Sequence, residues 1–396
     1  MKNIRDISLK GKRVLIRVDF NVPLGESFDI TDDNRLRASV PTIRKVMADG
    51  GKAIIMSHLG RPKNGFEERF SLKHVVKNLS DLLETRVKFC RNCIGEETDA
   101  EIKKMVGGDV LLLENLRFYP EEKAGDITFT KKLASMGDVY INDAFGAAHR
   151  SHASTAVIAN YFPHEKYFGL LLSSEITSLK TALENPKRPF SAIIGGAKIT
   201  GKITVINSLF DKVDNLIIGG GMAYTFIKAL GGDIGNSLVE EDKLDVAKSI
   251  IANAKEKGVA LLLPSDSVNA DNFNNNATIK NSNISSIPNG YMGLDIGVES
   301  IGLFSDVILN SKTILWNGPM GVFEMENFSS GTKKIGAAIC QATTNGAFSL
   351  VGGGDSVAAV KQFGLTDTIS YISTGGGAML EYLEGKKLPG IAAIQN

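Results

Sequence analysis

The sequence predicts an α/β protein built as two doubly wound parallel-sheet domains joined by a helix. Short apolar runs recur along the whole chain, each closing in Gly, Asn, Asp or His before a helical stretch. Continuous apolar runs of that kind, alternating with helices, mark parallel strands covered on both faces. The 396 residues suffice for two or three domains at ~100–200 residues each. A compact helical segment in the middle of the chain, without a flexible tether around it, separates the two halves.

In the first half the strand-like runs are Val14–Val18, Ala53–Met56, Val110–Leu113 and Val139–Ile141. In the second they are Ala192–Ile194, Leu216–Ile218, Ala260–Leu263, Thr313–Trp316, Ser349–Val351 and Ile369–Ile372. Each half is expected to be Rossmann-like, with ligand contacts just past the carboxyl ends of its strands. The first domain is read as residues 1–172 and the second as 188–384. Between them, 173–187 reads as a connecting helix. Ser173-Ser174-Glu175 offers hydroxyls to cap its start, Ile176, Leu179 and Leu183 share one face, and Asn185-Pro186 stops it. About twelve helical residues span ~18 Å, a stiff connector. The polar tract Asn269–Ser286 reads mainly as surface loop, with room for one weak edge strand and no assigned function.

Bulk properties exclude several classes. The chain is 43% hydrophobic and 22% charged, the balance of a soluble globular protein. A formal net charge of +1 gives no case for nucleic acid or a membrane surface. No apolar run approaches the ~18 residues of a membrane span, and the N-terminus lacks the apolar segment of a signal peptide. Three cysteines, an odd and sparse count, fit a reducing cytoplasm. Cys90 and Cys93 form a C-x-x-C pair, but no second pair or nearby histidine completes a zinc site, so two ordinary thiols at a strand end are the better reading. No coiled-coil heptad or exposed apolar helix argues against a monomer.

Basic and amide groups gather at the strand ends of the first half. Asp19 and Asn21 follow Val14–Val18; His58-Leu59-Gly60-Arg61 follows Ala53–Met56; Arg117 follows Val110–Leu113; His149-Arg150 follows Val139–Ile141. Arg35 opens a helix beginning near Asp32-Asp33. One loop arginine is usually a solvated surface group. Arg35, Arg61, Arg117 and Arg150 with two histidines on one sheet edge would repel one another unless they bound an anion, and the planar guanidinium suits phosphate and carboxylate oxygens. Asp19 and Asn21 can accept from a ligand hydroxyl and orient the arginines. The expected ligand therefore carries phosphate, carboxylate and hydroxyl together.

Glycine dominates the strand ends of the second half: Gly195-Gly196-Ala197-Lys198, Gly219-Gly220-Gly221, Gly352-Gly353-Gly354-Asp355-Ser356 and Thr374-Gly375-Gly376-Gly377. One such turn usually means only tight strand-to-helix packing. Four in one domain favour a phosphate cradle, since glycine lets backbone amides approach phosphate oxygens at helix starts. Gly196–Ile203 is a near miss to a P-loop, with Ile203 in the Ser/Thr slot that would serve magnesium, so a P-loop enzyme is rejected. Lys198 and Lys202 share a face if that stretch is helical. Asp355, at a helix start, is the candidate magnesium carboxylate. In Asn317-Gly318-Pro319-Met320-Gly321-Val322-Phe323-Glu324, Glu324 could receive ribose hydroxyls or simply be an exposed acid. No G-x-G-x-x-G fingerprint supports a dinucleotide enzyme.

The run Arg17-Val18-Asp19-Phe20-Asn21-Val22-Pro23, with His58–Arg61, Asn115–Phe118, Asp143–His152, Gly195–Lys202, Asn317–Glu324, Gly352–Ser356 and Thr374–Gly377, resembles the phosphoglycerate kinase family from end to end. The resemblance implies a hinge-bending kinase. By it, Asp19, Asn21, Arg35, His58, Leu59, Gly60, Arg61, Arg117, His149 and Arg150 hold 3-phosphoglycerate or 1,3-bisphosphoglycerate. Gly196, Ala197, Lys198, Lys202, Gly219, Gly220, Gly293, Asn317, Pro319, Gly321, Val322, Glu324, Gly353, Gly354, Asp355 and Ser356 hold ADP or ATP, with Asp355 facing magnesium. Arg35, Lys198, Gly375 and Gly376 surround the phosphoryl group in flight. Gly201 stands where family members often carry an acid, and the Asn-rich tract is longer than usual. The family returns its tail to the first domain, so the resemblance adds a C-terminal tail from about 385 to 396 to that domain, and Leu388–Ile394 is apolar enough to do so. Hinges are expected at both ends of the connecting helix and near Thr374–Gly377.

The reaction so implied moves a phosphoryl group between a carboxylate and a nucleotide. A non-catalytic sensor of nucleotide and anionic metabolite is the rival reading; it would keep both pockets but would not need Arg35 and Lys198 together.

Overall fold

The computed structural model describes residues 2–63 and 65–395. The chain divides into two compact units, one running to Thr177 and resuming at Lys387, the other from Ser178 to Lys386.

The first unit holds a parallel sheet of β1 (Arg13–Arg17), β2 (Lys52–Met56), β3 (Val87–Cys90), β4 (Val110–Leu113), β5 (Val139–Asn142) and β6 (Lys166–Phe168), in the order β3-β4-β2-β1-β5-β6. The chain winds out to one side of β1 and then crosses to the other, so the sheet reverses direction at β1 and β5. Val14, Ile16, Ala53, Ile55, Val110, Leu112, Val139 and Ile141 are buried together with Leu36, Ile43 and Val46 of helix Asn34–Ala48. Burial on both faces is what made these strands read as unbroken apolar runs. The C-terminal helix Pro389–Gln395 belongs to this unit: Asn142 Nδ2 donates to the Gly390 carbonyl at 3.1 Å, and Leu388 and Ile394 are buried.

The second unit holds β7 (Phe190–Ile194), β8 (Asn215–Ile218), β9 (Ala260–Leu262), β10 (Asp266–Ala270), β11 (Ile279–Asn283), β12 (Met292–Ile296), β13 (Thr313–Asn317), β14 (Phe348–Val351) and β15 (Tyr371–Ile372). Its main sheet is parallel in the order β15-β14-β13-β7-β8-β9, reversing between β7 and β13. That is the doubly wound order of nucleotide-binding sheets, and it puts the ligand crevice beyond β7 and β13. Strands β10, β11 and β12 form a separate antiparallel sheet in the order β11-β10-β12.

Several expectations need correction. The connecting helix spans Leu170–Leu183, starting earlier than 173. Ser173 lies inside it, and its hydroxyl caps nothing; instead Asp143, at the end of β5, accepts from the Leu172 amide at 3.0 Å. The Asn-rich tract does hold the edge strand the sequence left room for: Ile279–Asn283 lies at the edge of its sheet, paired to Asp266–Ala270 as a hairpin arm. Lys198 and Lys202 share no helical face, because the turn persists until helix Ile203–Leu209 begins. The run at Ile369–Ile372 contributes only Tyr371 and Ile372 to the sheet. The two thiols are as the sequence suggests: Cys90 ends β3, and both it and Cys93 are buried and free.

Candidate functional site

At the carboxyl edge of the first sheet, the turn that follows β1 carries Asp19 and Asn21, with the Val22 amide donating to the Phe20 carbonyl at 2.8 Å. Asp19 is 8% exposed and accepts from Arg35 Nη1 at 2.8 Å; its other oxygen accepts from the Asn21 amide at 3.1 Å. Arg35 reaches it because helix Asn34–Ala48 starts beside β1. Asn21 Oδ1 accepts from the Gly60 amide at 2.8 Å, tying the loop after β2 to the loop after β1. Gly60 is required there: its φ is +61°, and a Cβ would lie 2.2 Å from the Phe70 ring.

Asn115, past β4, holds the same loop from the other side. Its Nδ2 donates to the Leu59 carbonyl at 2.7 Å and its Oδ1 accepts from the Arg117 amide at 3.0 Å. Arg117 Nη1 donates to the Gly60 carbonyl at 2.5 Å. Buried Glu114 anchors the base of the loop, accepting from the Ser71 hydroxyl at 2.7 Å and the Leu72 amide at 2.8 Å. After β5, Arg150 Nε donates to His149 Nε2 at 3.1 Å. A cavity of about 130 Å³ takes Asn21, Leu59 and Gly60 into its lining; the arginine cluster is not part of that lining.

The field at this edge is positive. Burial and the neighbouring Arg150, Arg17 and Arg61 push the Arg117 guanidinium down to about 10, with Asp19 opposing. The arginine share of that depression means the cations disfavour one another, and an added anion relieves it. Burial also pushes His58 well below the ordinary imidazole range, with Arg17, Arg117 and Arg35 adding to the effect against the pull of Asp19. The Asp19 carboxylate lies 3.8 Å from His58 Nδ1, but a neutral ring makes this no ion pair. Arg17 itself escaped the sequence reading. It is 1% exposed, at the end of β1, and its Nη2 lies 3.2 Å from His58 Nδ1.

In the second unit, the turns after β7 and β13 press together across the point where the sheet reverses. A Cβ on Gly195 would lie 2.1 Å from the Pro319 carbonyl oxygen, and one on Gly318 would lie 2.1 Å from that of Gly195. Beside this contact opens a cavity of about 500 Å³. Of the expected residues it is lined by Gly196, Ala197, Gly220, Gly293, Pro319, Gly321, Val322, Glu324 and Asp355. Its apolar wall, which sequence reasoning missed, includes Tyr224, Leu238, Phe273 and Met292. Phe273 comes from the Asn-rich arm, so that arm is not without a part in the pocket; the lone aromatic among asparagines was the available signal.

The remaining expected residues stand behind or beside this cavity rather than in its lining. Lys202 Nζ donates to Asn317 Oδ1, and Asn317 Nδ2 donates to the Gly352 carbonyl at 2.7 Å. Ser356 is fully buried, with its hydroxyl accepting from the Gly318 amide at 2.5 Å, so it shapes the turn after β13. Gly219 packs on Met320, where a Cβ would lie 2.4 Å from the sulfur. Gly353 and Gly354 open helix Gly354–Gln362. Gly375 and Gly376 open helix Gly376–Leu383, and a Cβ on Gly376 would lie 3.3 Å from Gly353 Cα. Lys198 is exposed on its turn. Burial lowers the Lys202 ammonium pKa, against the pull of Asp355.

Among the described residues no group of three or more His, Cys, Asp or Glu side chains forms a metal cage. Asp355 is a single exposed carboxylate on the cavity wall. That fits magnesium, which takes one or two carboxylates and fills its shell with phosphate oxygens and water.

A basic edge on one doubly wound unit and a glycine-turned cavity on the other are the parts of a phosphotransferase. The phosphoglycerate kinase family model matches residues 4–386. A phosphoglycerate kinase of Porphyromonas gingivalis is 54% identical over 416 residues, covering 99% of each chain. Another from Dictyoglomus turgidum is 54% identical over 394 residues, covering 100% of this chain and 98% of its own. The solved structure of phosphoglycerate kinase from Coxiella burnetii is similar with a TM-score of 0.90 at 41% identity, covering 99% of this chain and 98% of that one. The chain belongs to the phosphoglycerate kinase family.

Proposed function

We infer that the chain catalyses reversible phosphoryl transfer from 1,3-bisphosphoglycerate to ADP, giving 3-phosphoglycerate and ATP. Family membership supports the reaction, and the observation that carries the substrate assignment is the arginine edge of the first unit, where burial and then Arg150, Arg17 and Arg61 lower the Arg117 pKa. We assign the glycerate ligand to Asp19, Asn21, Arg35, His58, Leu59, Gly60, Arg61, Arg117, His149 and Arg150. The nucleotide is assigned to the 500 Å³ cavity and the turns behind it. There, Glu324 faces the ribose side and the apolar wall faces the base.

The acceptor oxygen in this reaction belongs to a carboxylate. With a reference pKa of ~4 it attacks without deprotonation and leaves without protonation, so no general base is required. Arg35 orients the reacting carboxylate, itself held by Asp19 at 2.8 Å. Lys198 and the amides of Gly375 and Gly376 are assigned to the oxygens of the moving phosphoryl group. Catalysis is then positioning plus charge stabilisation. Magnesium, held by Asp355 with the nucleotide, would supply charge neutralisation on the phosphate chain. We place the reaction in the cytoplasm, in keeping with three free thiols, and on a monomer. No helix of the described residues is long and apolar enough to cross a membrane.

The test is magnesium- and ATP-dependent phosphorylation of 3-phosphoglycerate, coupled to reduction of the acyl phosphate. Turnover in the wild type, and its loss in Arg35→Ala and Lys198→Ala with both ligands still bound, is the expected result. A folded wild type that binds both ligands without turnover would sink the reading and leave a binding protein.

A further inference from the structure

We propose that Glu122 is a positioning residue for the glycerate ligand, acting through Ser154 and Arg17 to hold His58 as the tautomer with its proton on Nε2. The inference rests on the assignment of His58 to that ligand.

The chain of contacts begins at the ring. Arg17 Nη2 lies 3.2 Å from His58 Nδ1. A guanidinium only donates, so Nδ1 must accept and carries no proton. The single ring proton then sits on Nε2, and His58 is neutral. The groups around the ring are Asp19, Arg17, Arg117 and Arg35, a mostly cationic set that also disfavours imidazolium.

Arg17 is in turn fixed on its other side. Its Nε donates to Ser154 Oγ at 2.8 Å, and Nη1 donates to the Val18 carbonyl. Since Ser154 Oγ accepts from Arg17, its own proton must go elsewhere, and it donates to Glu122 Oε1 at 2.6 Å. The Ser154 amide donates to Glu122 Oε2 at 3.0 Å, so both carboxylate oxygens are used by one residue. Tyr140 OH donates to the Ser154 carbonyl at 2.7 Å and locks that backbone. Glu122 and Arg17 are each 1% exposed. A cation this buried needs a counter-charge, and Glu122 supplies it across one hydroxyl. His152 Nδ1 lies 3.8 Å from Glu122, but burial and the arginines push its pKa down to about 4, so it does not neutralise the acid at neutral pH.

The functional consequence follows from ligand chemistry. Phosphate and carboxylate oxygens only accept. An Nε2–H donates to them, whereas the other tautomer would present a lone pair. Glu122 therefore sets, at two removes, whether the edge offers a donor or an acceptor at His58.

The test is imidazole 15N NMR on the full chain together with steady-state kinetics. In the wild type, His58 is expected as the Nε2–H tautomer, and its signals move when 3-phosphoglycerate is added. In Ser154→Ala the ring is expected to become a tautomer mixture, with KM for 3-phosphoglycerate raised about tenfold, the loss of one charge-assisted hydrogen bond. The KM for ATP should not move, and Ser154→Thr, which keeps the hydroxyl, should restore both readouts. Glu122→Gln keeps the shape and removes the charge, and carries the test if Ser154→Ala does not fold. A folded variant that keeps the wild-type tautomer and KM overturns the proposal. Wild-type His58 signals that ignore 3-phosphoglycerate overturn the substrate assignment itself, whatever the variants do.

Discussion

Asp19 and Arg35 meet at 2.8 Å, a carboxylate from the loop after β1 and a guanidinium from the first turn of the following helix. Burial opposes the charge on Asp19, yet its surroundings, with Arg35, Arg17 and the Asn21 amide beside it, hold its carboxyl below the ordinary value. With His58 neutral, the two arginines and the amide carry that effect. A lowered native pKa stabilises the fold above the unfolded value of about 4 and is lost as pH falls through the native value. Asp19→Asn should cost on the order of 2 kcal/mol at neutral pH, and the gap from the wild type should close below about pH 4. Urea unfolding across that range measures it. A gap independent of pH would contradict the account.

Gly220 tests the cavity in the second unit. Its φ is +68°, and a Cβ would lie 2.6 Å from the Gly196 nitrogen, 2.7 Å from the Gly196 oxygen and 2.9 Å from the Pro319 oxygen. All three are backbone atoms of the cavity wall and yield only if the wall shifts. Gly220→Ala should raise KM for ATP by about tenfold or more, with left-handed strain alone costing roughly 1–2 kcal/mol, while KM for 3-phosphoglycerate stays put. Gly201→Ala is the control: nothing lies within 4 Å of its Cβ. Equal kinetics for the two variants would count against the cavity as the nucleotide site.

What the sequence showed and hid has a physical pattern. The central strands were legible because two buried faces leave an unbroken apolar run, and the ligand-side residues were legible because they follow those runs directly. Strand β6 went unread and β3 was read only from its end at Cys90; both are edge strands, and Lys88 and Lys166 break their apolar character. The start of helix Leu170–Leu183 went unread because its cap, Asp143, comes from β5 and not from the preceding residues. Arg17 was read inside the run Val14–Val18 and the family motif but given no role, because its partners His58 and Ser154 lie 41 and 137 residues away. Phe273 was hidden by an Asn-rich context that resembles plain loop.

Glu240 holds the turn that bears Lys198 and Lys202. Its Oε2 accepts from the Ile199 amide at 2.6 Å and the Thr200 amide at 3.2 Å, and its Oε1 accepts from the Thr200 hydroxyl at 2.6 Å. Glu240→Ala removes all three. The expected cost is on the order of 1–2 kcal/mol in stability and a several-fold rise in KM for ATP. Glu240→Gln keeps one acceptor and should fall between. Calorimetry with initial-rate kinetics reads both, and an unchanged KM in the alanine variant would show that the turn needs no such anchor.

Asp143 supplies the opposite pH dependence. Burial pushes its carboxyl up to about 7, against hydrogen bonds from the Thr42 hydroxyl and the Leu171 and Leu172 amides. Its Oδ2 is buried without a hydrogen-bond partner among the described residues. A raised native pKa gives stability that is fully present below the unfolded value of about 4 and is lost as pH rises through the native value near 7. Asp143 should therefore lower the wild-type stability by on the order of 3–4 kcal/mol between those limits and add no slope above them. Asp295, also pushed up to about 7 by burial, adds a parallel slope. The decisive quantity is thus the difference between wild type and Asp143→Asn, which keeps an acceptor for the helix amides and cannot ionise. The variant should gain on the wild type from pH 4 to pH 7 and then hold its advantage; parallel stability curves over that interval would mean that Asp143 is ionised in the folded protein.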